Sequence, residues 1–161
     1  MVDLNNLTSP FFLNDKEIRK IIELIFFSYR DFTIGPDQIL EKLNFGRAHH
    51  RVIYFVGKKD KITIKELLIV LKITKQSLSR VLNQLVKDGF IVVSTGLDKR
   101  TKNLSLTSKG LSLENELSTI QVQKIKKAIT NFNQEDIDGF KKILYEMIEI
   151  DNKNTFQHLN E

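Results

Sequence analysis

Residues 62–109 change their pattern five times in succession, and the order of the changes leaves few folds open. Thr63 with Glu66 three residues on reads as a capping box, and Leu67, Leu68, Val70 and Leu71 then follow at helical spacing. Lys72-Ile73-Thr74 reads as a turn. A second helical stripe runs through Leu78, Val81, Leu82, Leu85 and Val86 and ends at Gly89, a residue suited to a left-handed cap. Residues 90–95 are β-branched and aromatic, 96–100 are charged and turn-rich, and 101–107 alternate around Leu104 and Leu106, which predicts a hairpin. Helix, turn, helix and hairpin in that order make a winged helix-turn-helix.

The charge falls on the same segment. Residues 72–109 carry eight cations (Lys72, Lys75, Arg80, Lys87, Lys99, Arg100, Lys102 and Lys109) against Asp88 and Asp98, a net +6, whereas the whole chain is +5. The remainder therefore sums to −1. The basic character belongs to the one element whose shape suits a DNA groove.

A chain of 161 residues, 41% of them hydrophobic, can build one well-cored domain or a small module with an accessory helical layer. It has no cysteine, which excludes disulfides, thiolate metal sites and thiol redox sensing and fits a reducing cytoplasm. Residues 1–10 lack the basic patch and apolar run of a secretory signal, and the longest apolar runs have about five residues against the roughly 20 of a membrane span. A cytoplasmic protein without membrane contact is expected. Glycine and proline are few, and no repeat or low-complexity run appears, so helices should dominate.

Outside the central segment, Asn14 and Glu17 predict a helix start, followed by Ile18, Ile21, Ile22 and Ile25 on one stripe and by Leu24, Phe26 and Phe27 off it. Gly35-Pro36 should interrupt this helix, leaving 37–43 as a short continuation and 44–46 as a corner. A second helix from Arg47 turns Ala48, Val52, Phe55 and Val56 inward and stops at Gly57. Thr107 caps a later helix with Leu111, Leu117, Ile120, Ile125 and Ile129, and Asn133 caps another with Ile137, Phe140, Leu144, Met147 and Ile148. The tail from Asn152 is expected to fray.

A recognition helix keeps one face in its core and offers forked polar side chains to base edges. Off its apolar stripe the helix after Thr74 presents Lys75, Gln76, Ser77, Ser79, Arg80 and Asn83. Gln and Asn suit adenine, and Arg and Lys suit guanine or phosphate. Thr74 and Ser77 either cap the helix or reach phosphate. The wing tip, Asp98, Lys99 and Arg100 with Lys102, suits an adjacent minor groove, with Asp98 expected to orient Arg100 by an ion pair. Taken alone, the same hairpin reads equally well as a solvated surface turn.

On these residues the chain resembles the MarR family of bacterial winged-helix regulators. The family's Asp-x-Arg wing motif falls on Asp98 and Arg100, its recognition-helix arginine on Arg80 and its helix exit on Leu85 and Gly89, while 106–110 open the return helices. The resemblance implies a homodimer made by the N-terminal helix and the last two helices, set on a pseudo-palindromic site in double-stranded DNA. It also implies a repressor released by a small anionic or phenolic effector. The apolar surface of the terminal helices exceeds what a 65-residue module would cover, which favours a dimer, with an intramolecular bundle as the alternative.

The run Arg47-Ala48-His49-His50-Arg51, with Tyr29 and Arg30, is the candidate effector or phosphate site, because cations gather there at a helix N-terminus. Structural, phosphate-contact and ligand or pH-sensing roles stay open for it. Adjacent His49 and His50 point about 100° apart on a helix and would not chelate one metal, so zinc would need carboxylates such as Glu17 or Glu114. No metal site, no cofactor and no enzyme is expected, since no nucleophile–base pair, Gly-rich phosphate loop or paired-acid motif occurs. The reading is therefore a mainly α protein with a small β-hairpin (α+β): residues 1–44 and 110–161 for dimerisation around a winged helix-turn-helix at 45–109. The alternatives are a winged-helix protein-interaction module and an RNA-binding winged helix, the latter disfavoured because the basic segment lacks stacking aromatics.

Overall fold

A computed structural model describes residues 13–160. The reading of residues 1–10 lies outside them. The described residues form α1 (Asp15–Lys42), α2 (Arg47–Lys58), β1 (Ile62–Thr63), α3 (Ile64–Leu71), α4 (Lys75–Lys87), β2 (Ile91–Thr95), β3 (Lys102–Leu106), α5 (Ser108–Ile129), α6 (Gln134–Glu146) and α7 (Ile150–His158). Two compact units divide the chain, Met1–Ile34 and Gly35–Glu161.

In the first unit, the expected start of α1 holds: the backbone N–H of Asn14 donates to Glu17 Oε2 at 3.0 Å and that of Glu17 to Asn14 Oδ1 at 3.1 Å. Ile22, Leu24, Phe26 and Phe27 are exposed along it. The expected break at Gly35-Pro36 does not occur, and α1 runs through both residues. A residue before proline is pushed out of the helical region by a clash involving its Cβ, and glycine has none. In the second unit, Gly35 is also where α5 comes close, since a Cβ would lie 2.7 Å from Ile120 Cγ2.

The core of the second unit is built by Leu40, by Val52, Ile53 and Val56 of α2, Leu67 of α3, Leu78, Leu82 and Leu85 of α4, the three strands, and Leu113 and Leu117 of α5. Each such Leu or Ile, fully buried, contributes about 1.5–3 kcal/mol. Ala48, expected inward, is exposed, as is Val86 at the edge of the α4 stripe, because the burying face of each helix is narrower than the apolar pattern. The hairpin forms with Ile91 opposite Leu106 and Thr95 opposite Lys102. A third strand, β1, pairs Ile62 with Leu104 and Thr63 with Asn103, giving the order β1-β3-β2. Two residues are too short to show alternation, so the pattern alone does not reveal it.

The C-terminal tail does not fray. It forms α7, held by the Lys153–Glu146 ion pair at 2.7 Å, by Gln157 Nε2 donating to Tyr145 Oη at 3.0 Å, and by Lys58 Nζ donating to Asn160 Oδ1 at 3.2 Å. By contrast α6 has no buried side chain, and Phe140, Ile143, Leu144 and Met147 are exposed on it and just beyond its end.

Candidate nucleic-acid interface

The turn into α4 is made by Lys72, which ends α3 in the left-handed conformation at φ 49°. Thr74 then caps α4: its Oγ1 accepts from Ser77 N–H at 3.1 Å and its hydroxyl donates to Ser77 Oγ at 2.9 Å. These two side chains are therefore engaged with each other at the helix start. Lys75, Gln76, Ser79, Arg80 and Asn83 are exposed, opposite the buried Leu78, Leu82 and Leu85. At the other end, Phe90 N–H donates to Leu85 O at 2.8 Å and Gly89 N–H to Val86 O at 3.1 Å, with Gly89 at φ 77°. This is a Schellman closure, with buried Phe90 and Leu85 as its apolar pair.

Gln84 is the polar residue of α4 that faces inward. Its Oε1 meets His49 Nε2 at 2.9 Å, and its amide donates to Asn44 O at 3.4 Å. His49 Nδ1 accepts from Gly46 N–H at 3.1 Å, so Nε2 carries the proton and donates to Gln84. The ring also stacks on Phe45 at 4.6 Å. His49 thus fastens α4 to the start of α2. Nothing in the spacing of His49 and Gln84 announces the pair, which meets across 35 positions.

In the wing, Lys99, Arg100 and Lys102 are exposed. The expected Asp98–Arg100 ion pair is not what forms. Asp98 Oδ1 accepts the backbone N–H of Arg100 at 2.9 Å, because a carboxylate two residues back reaches the main chain more readily than the long guanidinium. The Asp-x-Arg spacing braces the loop and leaves the Arg100 head outside this bond. Lys102 Nζ donates across the hairpin to Thr95 Oγ1 at 3.2 Å. Lys109 leaves the basic face altogether: it donates to Asp88 O at 2.8 Å and lies 4.2 Å above the Phe90 ring, at the C-terminal end of the α4 dipole.

The sequence pattern of the MarR family matches residues 43–101, which span the helix-turn-helix and most of the wing. The HTH-type transcriptional regulator PetP of Rhodobacter capsulatus is 41% identical over 151 residues, covering 93% of this chain and 91% of that protein. The chain belongs to the MarR family. A MarR transcriptional regulator from Methanosarcina mazei superposes with TM-score 0.65 at 25% identity, over 83% of this chain and 94% of its own. FabT of Streptococcus pneumoniae, solved in complex with DNA, shares the fold with TM-score 0.70 at 20% identity, over 89% and 97%. This MarR-family protein is a DNA-binding transcription regulator with a winged helix-turn-helix.

The candidate effector residues divide between the two units, Tyr29 and Arg30 in the first and Arg47, His49, His50 and Arg51 in the second. Arg47 is paired with Asp37 of α1, Nη2 to Oδ2 at 2.8 Å and Nε to Oδ2 at 3.0 Å, so its fork is engaged by a carboxylate. His50 is half-buried, and burial pushes its pKa below the ordinary value against the opposing pull of Asp37 and Glu114, with Arg51 adding to the lowering. Tyr29 and Arg30 lie in the middle of α1, where Arg30 pairs with Asp31 at 3.0 Å and covers the Phe27 ring at 4.7 Å. In the second unit, clefts of about 430 and 380 Å³ lie along α2, α3 and α7, and none of Arg47, His49, His50 and Arg51 is among their lining residues. Among the described residues no group of three His, Cys, Asp or Glu converges for a metal, and no helix is long and apolar enough to cross a membrane.

Proposed function

We propose that the protein is a homodimeric repressor that sets two winged modules on a pseudo-palindromic promoter site. Lys75, Gln76, Ser79, Arg80 and Asn83 read the major groove, Thr74 and Ser77 hold the start of the reading helix, and Lys99, Arg100 and Lys102 approach the flanking minor groove, with Asp98 as the brace. Residues 45–109 bind DNA, and 1–44 with 110–161 make the dimer. The observation that carries this reading is the exposed polar face of α4 on the same small module as an exposed cationic wing. The exposed Phe140, Ile143 and Met147 at α6 and Phe26 and Phe27 on α1 support the dimer, since apolar patches of that kind are normally covered.

Retention and sequencing of genomic fragments at moderate salt tests it. A shared palindromic motif is expected; a protein-interaction module would retain no sequence class. On the recovered site, Arg80→Ala should cost about 1–3 kcal/mol and flatten preference at one position, and Arg100→Ala should lower the salt slope by about one. Unchanged preference or an unchanged slope removes the respective role.

Release by a small ligand is a second reading, favoured by the larger cleft. Tyr54, Phe55, Val70, Ile148, Phe156 and Leu159 give it an apolar lining, with Lys58 and Lys72 and no carboxylate among its lining residues. An aromatic or aliphatic acid suits such a lining, and Lys72 is the turn residue before α4. Titrating salicylate or a medium-chain fatty acid into the DNA complex should release it, and Lys72→Ala should blunt the response.

A further inference from the structure

The wing carries an apolar side chain at its very tip. Leu97 has a relative exposure of 111%, so none of the described residues covers it. The loop beneath it is closed by three hydrogen bonds: Gly96 N–H to Thr101 O at 2.9 Å, Thr101 N–H to Asp98 O at 2.8 Å, and Arg100 N–H to Asp98 Oδ1 at 2.9 Å. Gly96 allows this closure, since a Cβ there would already stand 3.3 Å from Thr101 Cβ. The tip is thus a braced turn that holds one leucine outward three positions before Arg100, with Lys99 also exposed.

An apolar side chain held wholly in water is stabilised when a partner buries it. The minor groove has apolar deoxyribose walls and is about 6 Å wide, and minor-groove proteins wedge Leu, Ile or Phe at base steps that unstack at low cost. Pyrimidine–purine steps such as TA are the softest. We propose that Leu97 is a specificity-determining residue of the wing, an apolar wedge that enters the minor groove beside Arg100 and reads the deformability of one base step. This rests on the DNA-binding reading above and adds to it a contact that carries no charge.

The full-length protein and its Leu97→Ser variant are compared on a footprinted duplex in which the step under the wing is TA or AA. Wild type should favour TA several-fold. Leu97→Ser should lose about tenfold on TA, the size expected from burying roughly half of a leucine, and lose the preference between steps. Its salt slope and thermal unfolding should match wild type, because the side chain is neutral and touches nothing in the fold, and Leu97→Met should restore binding. Affinity within twofold of wild type on TA, or an equal loss on both duplexes, overturns the wedge. A wild-type protein that binds neither duplex overturns the DNA reading instead.

Discussion

Replacing Gly110 by alanine sets helix propensity against packing. Gly110 is the third residue of α5, after the cap Thr107, and a glycine-to-alanine change inside a helix ordinarily stabilises by about 1 kcal/mol. A Cβ built there, however, would lie 2.1 Å from Phe90 O and 3.0 Å from Phe90 C, both main-chain atoms. Carbon and carbonyl oxygen tolerate about 3.3 Å at closest, so the two segments must part by more than 1 Å. Phe90 O is the acceptor for Thr107 N–H at 3.0 Å, and the Thr107 hydroxyl donates to Gly89 O at 2.6 Å, so the parting loosens the cap of α5 and the end of α4 together. Overpacking of about 1–3 kcal/mol and a weakened cap of about 1 kcal/mol outweigh the propensity gain, for a net loss of about 2 kcal/mol. At about 2–4 °C per kcal/mol, Tm should fall by about 4–8 °C. Circular dichroism during thermal and urea unfolding, at one protein concentration for all variants, measures it. Gly139 of α6 is the internal control: nothing lies within 4 Å of its Cβ position, and Gly139→Ala should raise stability by about 0.5–1 kcal/mol. A Gly110→Ala protein as stable as wild type would refute the reasoning.

Two further outcomes are expected. Glu66 is held at a pKa of about 2, below its ordinary 4.5, chiefly by the Lys59 ammonium at 2.7 Å and then by the Thr63 backbone N–H. Because the folded value is depressed, its contribution is fully present above pH 4.5 and is lost as pH falls from there towards 2; with the pair half-exposed and screened it amounts to about 1 kcal/mol. Glu66→Gln should flatten that part of the stability–pH curve, and equal acid slopes for the two proteins would contradict the assignment. At the wing, Asp98→Asn keeps the acceptor for Arg100 N–H and removes a charge, so DNA affinity should rise, while Asp98→Ala loses the brace and should bind more weakly than Asp98→Asn in a gel-shift titration. Equal binding by the two would mean the brace is idle.

The sequence by itself determined whatever depends on neighbours a few positions apart. The caps at Asn14, Thr63, Thr107 and Asn133, the buried Leu78, Leu82 and Leu85 of α4, and the left-handed Gly89 were all legible, because a helix brings residues three and four apart together wherever it forms. The exposed polar face of α4 followed as the remainder of its stripe. Only the tertiary structure decided the two-residue β1, the ordered α7, the turning of Lys109 to Asp88, and the partners of Arg47 and His49. Each of these depends on a group supplied from elsewhere in the chain: β3 beside Ile62, Lys58 reaching Asn160, Asp88 O meeting Lys109, Asp37 facing Arg47 and Gln84 facing His49. Local spacing encodes which elements form and which faces they bury; whether a cation points to DNA or to its own chain depends on what folding places within about 3 Å of it.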